Sequence, residues 1–220
     1  MTHMSNAARW SLVVLAVVVA LAVAIWPRGG DDTPVSTGGS STSAYRPPTF
    51  TPSSESLDQL RGQAGLAACP TPRAEAPVGA ALAGITLDCV ADGSSVDLAA
   101  ALGGKPALLN LWAYWCAPCA EELPHLQEFA DRAGESITVL TVHSDPNQEN
   151  ALTRLIDYSV RLPGVQDGSS KVQIAVGAPP VLPVSVLIRP DGTVAKVLPQ
   201  PFRSADEIAA ATAQYLGVVV

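Results

Sequence analysis

The stretch Leu108-Leu109-Asn110-Leu111-Trp112-Ala113-Tyr114-Trp115-Cys116-Ala117-Pro118-Cys119 decides the fold. A short apolar run ends in Trp-Cys-x-Pro-Cys, and Glu121, Glu122 and a segment with apolar residues at helical spacing come next. That order reads as a buried strand, a sharp turn and a helix, with Cys116 at the helix N-terminus. Unpaired backbone N–H groups and the positive end of the helix dipole favour an anion there. A thiolate is an anion, so Cys116 is expected to ionise more easily than a free cysteine, at a pKa of roughly 3.5 to 7.5. Cys119 lies one helical turn on, within disulfide reach, so the pair can pass between dithiol and disulfide with little backbone motion. Pro118 has no N–H to leave unpaired and a fixed φ, which suits the first turn of a helix. Two such cysteines are also half a zinc site, but a zinc site takes about four ligands. The other two cysteines, Cys69 and Cys89, do not form a second closely spaced pair, and the three histidines are scattered.

Outward from that stretch, Ile85–Val90 reads as a first strand with a turn at Asp92-Gly93. Asp97 is placed to cap a short helix through Leu102, and Gly103-Gly104-Lys105-Pro106 breaks it before the central strand 107–113. The helix after the cysteines spans about 117–132, with Leu123, Leu126, Phe129 and Ala130 on its inner face. Pro124 inside it removes one hydrogen bond, and a kink is expected. Ile137–Val142 is continuously apolar apart from two threonines, as in a parallel strand buried on both faces. A helix covers about 147–159. Val184–Ile188, Asp191-Gly192 and Thr193–Leu198 form a hairpin. Residues 204–217 are a last helix, opened by Ser204 with Glu207 three residues on, a capping box. Alternating strands and helices, then a hairpin and a helix, imply an α/β fold with a mixed sheet. No internal repeat is visible.

The 220-residue chain is long enough for one domain with appendages. Its net charge of −7 argues against a nucleic-acid binder. Trp10 to Trp26 carries no charge, and its seventeen residues reach about 26 Å as a helix, near the short limit for crossing a bilayer. A tryptophan at each end suits the two interfaces, and the amino terminus, His3 and Arg9 before the run against Arg28, Asp31 and Asp32 after it give a small charge bias that points to the N-terminus inside. Ala22-Val23-Ala24 has the pattern of a signal-peptide cleavage site, so the run is a signal-anchor or a cleaved signal. Either one exports the rest of the chain. Pro, Gly, Ser and Thr make up 21 of residues 27–56, too little apolar surface to offset the ordering entropy, so this segment is expected to be a disordered linker. Residues 57–79 read as a short helix and a strap lying on the domain. In an exported chain the two leftover cysteines, Cys69 and Cys89, most often bond to each other, which pins the strap to the first strand. A second catalytic pair is the alternative.

Trp115-Cys116-Ala117-Pro118-Cys119 resembles the active site of the thioredoxin superfamily. The fuller string from Asn110 through Ala120-Glu121-Glu122-Leu123-Pro124 is similar to the membrane-anchored TlpA/ResA/DsbE branch. The likeness extends over about residues 80–217. It implies a thioredoxin fold: a central mixed sheet flanked by helices over 80–220. Residues 1–9 would be a cytoplasmic N-terminus, 10–26 the transmembrane helix and 27–56 the flexible linker.

The resemblance also implies roles. Cys116 is the nucleophile and Cys119 resolves the mixed disulfide. Trp115 stands beside the sulfurs as an apolar platform, and the Ala117-Pro118 pair fits a reductant better than a strong oxidant. Thioredoxins carry a proton-transferring aspartate six residues before the first cysteine; here that position is Asn110, which cannot titrate. In the branch a glutamate three residues after the second cysteine does the corresponding work, and Glu122 holds that place. Its bland alternative is a solvated carboxylate at a helix start; Glu121 reads as a surface charge. The superfamily's cis-proline falls at Pro183, with Pro179 and Pro180 as rivals. Leu182 stands where threonine is common, which leaves partner preference open. His125 and His143 read as surface or strand-end residues without catalytic duty.

The expected protein is therefore an extracytoplasmic, single-pass thiol–disulfide oxidoreductase of a bacterial cell membrane, secreted if the signal is cleaved. By resemblance it reduces selected protein disulfides, cytochrome c maturation being the best-known setting. A membrane dithiol would supply electrons, since no nicotinamide or flavin motif is present and no cofactor beyond the redox-active Cys116–Cys119 pair is expected. The rivals are a disulfide-forming oxidase, a copper- or zinc-binding chaperone using the cysteine pair, and a redox-inert adaptor.

Overall fold

The computed structural model describes Leu15 and residues 54–72 and 75–220. Seven strands form one sheet: β1 (Thr86–Cys89), β2 (Ser95–Asp97), β3 (Ala107–Trp112), β4 (Thr138–His143), β5 (Gly164–Gln166), β6 (Val184–Ile188) and β7 (Val194–Leu198). Among the described residues from 54 on, six α-helices accompany them: α1 (Ser54–Ala64), α2 (Leu98–Leu102), α3 (Ala117–Ala133), α4 (Gln148–Asp157), α5 (Lys171–Ala175) and α6 (Ala205–Leu216). The spatial order is β2-β1-β5-β4-β3-β6-β7. β3, β4 and β5 run parallel, and β1, β6 and β7 pair antiparallel with their neighbours. This is the mixed sheet expected from the element order.

All six residues of β3 are buried, because both sheet faces are covered. Side chains alternate across a strand, and the two cores divide accordingly. Leu108 and Trp112 point to a layer built from α3, α4 and α6, where Leu123, Leu126, Phe129, Leu155 and Ile208 pack. Leu109 and Leu111 point to the other layer, with Leu98 and Leu102 of α2 and Val172 of α5. Each fully buried Leu or Phe contributes about 2–3 kcal/mol of transfer free energy. The inner face expected for α3 is therefore the face that is buried, with Ala130 at its half-exposed margin. Asn110 lies between Leu108 and Trp112 on the α3 side, and that placement builds the site.

The capping signals are used as read. The Asp97 side chain accepts from Ala100 N, and Ser204 Oγ accepts from Glu207 N at 3.2 Å. Glu207 reaches back to Arg203 N at 2.8 Å, one residue before the cap. The Asp191-Gly192 turn needs its glycine: Gly192 has φ of 80°, and a Cβ there would stand 2.5 Å from Ala80 Cβ.

Several expectations are corrected. The linker expected through 56 ends earlier, because α1 begins at Ser54. Leu57 and Leu60 pack with Ala64 against Val90, Leu152 and Ile156, and a helix needs a turn ahead of its first packed residue. The expected helix 147–159 is shorter, spanning Gln148–Asp157. The elements β2, β5 and α5 have no counterpart among the expected ones. No described helix is long and apolar enough to cross a membrane. The segments expected as a membrane helix, 10–26, and as most of the linker lie outside the described residues, Leu15 apart.

Candidate active site

β3 delivers the chain to the cysteines. After Trp112 the backbone turns, with Cys116 N donating to Ala113 O at 3.0 Å, and α3 starts at Ala117. Cys116 is the helix N-cap, and its Sγ accepts from Cys119 N at 3.3 Å. The sulfur thus takes the place a serine or aspartate oxygen usually fills at a helix start. It sits where an N–H and the helix dipole would stabilise a thiolate once the bond opens. Cys116 and Cys119 are joined as a disulfide. Cys116 is 5% exposed and Cys119 is 0%, so only the first sulfur can be approached from outside. Pro118 stands in the first turn, where its missing N–H costs nothing.

Below the disulfide lies a buried polar trio set up by strand register. Asn110 on β3 is opposite Ser185 on β6, and both point toward α3. Asn110 Nδ2 donates to Ser185 Oγ at 3.3 Å and to Glu122 Oε2 at 2.9 Å. The other Glu122 oxygen accepts from Phe202 N at 3.0 Å. Glu122, one turn beyond Cys119 on α3, is fully buried, as are Asn110 and Ser185. Burial raises the Glu122 carboxyl to a pKa of about 7, against the downward pull of the Phe202 N–H and the Asn110 amide. The reading of Glu122 as a solvated helix-start charge is therefore wrong: its neighbour Glu121 is exposed, while Glu122 faces the core. Asn110, set aside because it cannot titrate, is what holds the residue that can. Ser185 and the Phe202 backbone were not identified from sequence.

The Leu182–Pro183 peptide is cis, and the Pro179 and Pro180 bonds are not. The pairing of Leu111 with Val184 brings Pro183 to the end of β3 from which the cysteine loop departs. Leu182 packs on the cluster that holds Cys116 and Cys119. Trp115 is 60% exposed, and its Nε1 donates to Asp145 Oδ2 at 3.0 Å. His143 does end a strand, but it is buried rather than on the surface. Its ring lies 5.0 Å from that of Trp112, and its Nδ1 is 3.0 Å from Gln166 Oε1. Burial lowers its pKa, against the upward pull of the Gln166 hydrogen bond and the Asp145 charge. His125 is half-buried on α3. Cys69 and Cys89 form the second disulfide, which ties the strap to β1. Cys89 is fully buried in the α2–α5 layer. Among the described residues no group of three or more His, Cys, Asp or Glu side chains converges as a metal site.

The sheet, the helix-capping disulfide and the cis-proline at its side define a thioredoxin-fold protein of the Cys-x-x-Cys class. Comparisons with known proteins agree. The chain belongs to the Redoxin family, whose model matches residues 72–214, and within the thioredoxin superfamily it is of the TlpA/ResA/DsbE type. Thiol-disulfide oxidoreductase ResA of Halalkalibacterium halodurans is 32% identical over 108 residues, 48% of this chain and 60% of that protein. ResA of Bacillus subtilis is 31% identical over 98 residues, 44% of this chain and 54% of that protein. The chain thus spans somewhat more than half the length of the curated relatives it matches. Among solved structures, a secreted Mycobacterium tuberculosis disulfide oxidoreductase described as homologous to E. coli DsbE matches with a TM-score of 0.51. It is 25% identical, and the match covers 59% of this chain and 95% of that one.

Proposed function

We propose that the protein is an extracytoplasmic thiol–disulfide oxidoreductase that reduces protein disulfides through Cys116 and Cys119. The observation that carries this reading is the cysteine pair capping α3, with Cys116 Sγ taking the Cys119 N–H and Cys119 buried behind it. In the reduced protein the Cys116 thiolate attacks one sulfur of a substrate disulfide. The substrate S–S bond breaks, one substrate thiolate leaves and takes a proton, and a mixed disulfide forms. Cys119 then loses its proton and attacks Cys116 Sγ. That step releases the second substrate thiol and leaves the Cys116–Cys119 disulfide, so two electrons have passed to the substrate. A membrane dithiol donor would restore the dithiol.

Glu122 is the group proposed to accept the Cys119 proton and to return it in the reverse direction. In the disulfide form both its oxygens are engaged, by Asn110 and Phe202. A carboxyl with a pKa of about 7 is poised to do both near neutral pH. The cis-Pro183 backbone would pair with the bound substrate chain, while Trp115, Ala117 and Pro118 support the cysteines. The names of the ResA relatives support the chemistry, and the secreted mycobacterial neighbour supports the extracytoplasmic placement. We further propose a cytoplasmic 1–9, a membrane anchor or cleaved signal at 10–26 and a tether before α1, with cytochrome c maturation as the setting. Turnover of insulin disulfides tests the activity. Cys116→Ser should abolish it, and Cys119→Ser should accumulate mixed disulfides. Normal turnover by Cys116→Ser would overturn the mechanism.

A further inference from the structure

The turn that delivers Cys116 is held from outside by a cation. Cys116 N donates to Ala113 O, so Tyr114 and Trp115 are the central residues of a β-turn, and Tyr114 O belongs to its central peptide. That carbonyl accepts from Arg154 Nε at 3.1 Å, across 40 residues of chain. Arg154 lies in the last turn of α4. Helical side chains lean back toward the N-terminus of their helix, which carries the guanidinium toward the cysteine loop. Arg154 Cζ also lies 5.7 Å from the centroid of the Tyr158 ring, and Tyr158 N closes the helix end on Arg154 O and Ile156 O. The guanidinium is thus gripped between an aromatic face and the turn.

Two properties separate this contact from ordinary loop support. It fixes the central peptide, the part of a β-turn that can rotate while both ends stay in place. A hydrogen bond from a charged donor is also roughly twice as strong as a neutral one. Neither this bond nor that of Cys116 N to Ala113 O involves a sulfur, so both can persist when the disulfide opens. The Arg154 charge, moreover, is not neutralised by a carboxylate: the ion pairs of the described residues use Arg61 and Arg132, and Arg154 takes part in none. The side chain is half-buried, where salt screens a charge less than at the open surface. The other titratable groups on the elements around Cys116 are Tyr114 on the turn, Glu121, Glu122 and His125 on α3, His143 and Asp145 at and after the end of β4, Glu149 on α4 and Lys171 on α5. Each carboxylate among them disfavours a second anion, as does the chain's net charge of −7.

We propose that Arg154 is a positioning residue for Cys116: through the Tyr114 carbonyl it fixes the turn that presents the sulfur and sets a positive charge behind it, which favours the attacking thiolate. This rests on the oxidoreductase reading above and adds to it a group outside α3 that readies the nucleophile.

The test alkylates the reduced full chain with iodoacetamide from pH 4 to 9, maps the peptides, and reads the midpoint of the Cys116 profile. Arg154→Ala should move that midpoint up by roughly half a pH unit, about three-fold less thiolate on the acid limb. Arg154→Lys keeps the charge and a donor for the carbonyl, and should restore most of the shift. Arg154→Gln keeps a donor without the charge. It should shift in the same direction as Arg154→Ala, and it carries the test if the alanine variant does not fold. Arg161→Ala removes an equal charge from an exposed side chain beyond the end of α4 and should leave the midpoint in place. The Cys116–Cys119 potential should become more negative in Arg154→Ala, because the reduced form loses stabilisation of its thiolate. Damage confined to stability lowers the melting temperature and moves neither readout. A midpoint unchanged in Arg154→Ala and Arg154→Gln, or shifted as far by Arg161→Ala, overturns the positioning role while the oxidoreductase reading stands. A wild-type Cys116 that titrates as a free thiol, near about 8.5, overturns the activated nucleophile and this inference with it.

Discussion

Replacing Glu122 by Gln should make the protein's stability less sensitive to pH, in a direction opposite to that of most carboxylates. The side chain is fully buried, and its pKa rises from 4.5 to about 7 in the folded state. Below about pH 4.5 folded and unfolded chains both carry it protonated, so its ionisation contributes no difference. Between about 4.5 and 7 only the unfolded chain ionises, and stability falls as pH rises. Above about pH 7 the loss levels off. Two and a half pKa units at 1.36 kcal/mol each give a loss of about 3 kcal/mol. Gln cannot ionise, so the variant escapes this loss. Its carbonyl can still accept from Phe202 N. Asn110 can turn its amide over, because its Oδ1 has no partner in the wild type and can accept from the new NH2. Any packing cost of the amide is the same at every pH and cancels in the comparison. Denaturant unfolding of the oxidised full chain in mild detergent, at pH 4 through 8, should show the variant gaining up to about 3 kcal/mol on the wild type. Glu121→Gln, at an exposed position, should gain nothing. A wild-type minus Glu122→Gln difference that stays flat within 1 kcal/mol from pH 4 to 8 refutes the reasoning: Glu122 would then ionise as freely folded as unfolded.

The same variant should slow the resolving step and shift the pH dependence of Cys116 alkylation in the reduced protein; rapid-quench trapping of the mixed disulfide measures the first effect. Replacing Cys69 and Cys89 together by Ala opens a loop of about 20 residues and should lower stability by about 3 kcal/mol. Its melting temperature should fall while insulin reduction persists. A reporter active only outside the cytoplasm, fused after residue 50 and so ahead of α1, should be active; a signal only from a cytoplasmic reporter would overturn the export argument.

The fold was legible where the sequence pattern is local. Leu108–Trp112 and Ile137–Val142 are apolar on both faces because both faces are covered. Asp97, Ser204 and Asp191-Gly192 act as caps and turn as their chemistry requires. What escaped depends on contacts distant in sequence. β5 is three residues long, starts at the glycine of a Pro-Gly pair and exists because β4 and β1 lie on either side of it. α5 is a single turn whose first N–H groups are taken by Asp167, four residues before it starts. In the site, spacing placed Cys116 and Cys119, and the resemblance to the thioredoxin superfamily pointed to Pro183 over Pro179 and Pro180. It placed Glu122 on the right helix but left its environment open, since burial depends on α6 and the 199–203 loop closing over it. The signal for Asn110 was present: a polar residue flanked at i−2 and i+2 by Leu108 and Trp112 on the α3 face needs a buried partner. Glu122 was the nearest candidate. His143 stands directly after an apolar run that is buried on both faces, and the same alternation carries it inside. Nothing in the local sequence around Trp115 points to Asp145, thirty residues away.

We propose that one disulfide of this protein is a redox couple and the other a clamp, and a single titration tests both parts of that proposal. Equilibrating the purified full chain in glutathione or dithiothreitol buffers of graded potential, then alkylating and mapping the peptides, measures both bonds at once. Cys116–Cys119 should open and close reversibly along a two-electron curve, nearer the roughly −270 mV of thioredoxin than the roughly −120 mV of a strong oxidant. Cys69–Cys89 should stay closed across the same range. A Cys116–Cys119 bond that does not open, or a Cys69–Cys89 bond that opens first, contradicts this division of roles.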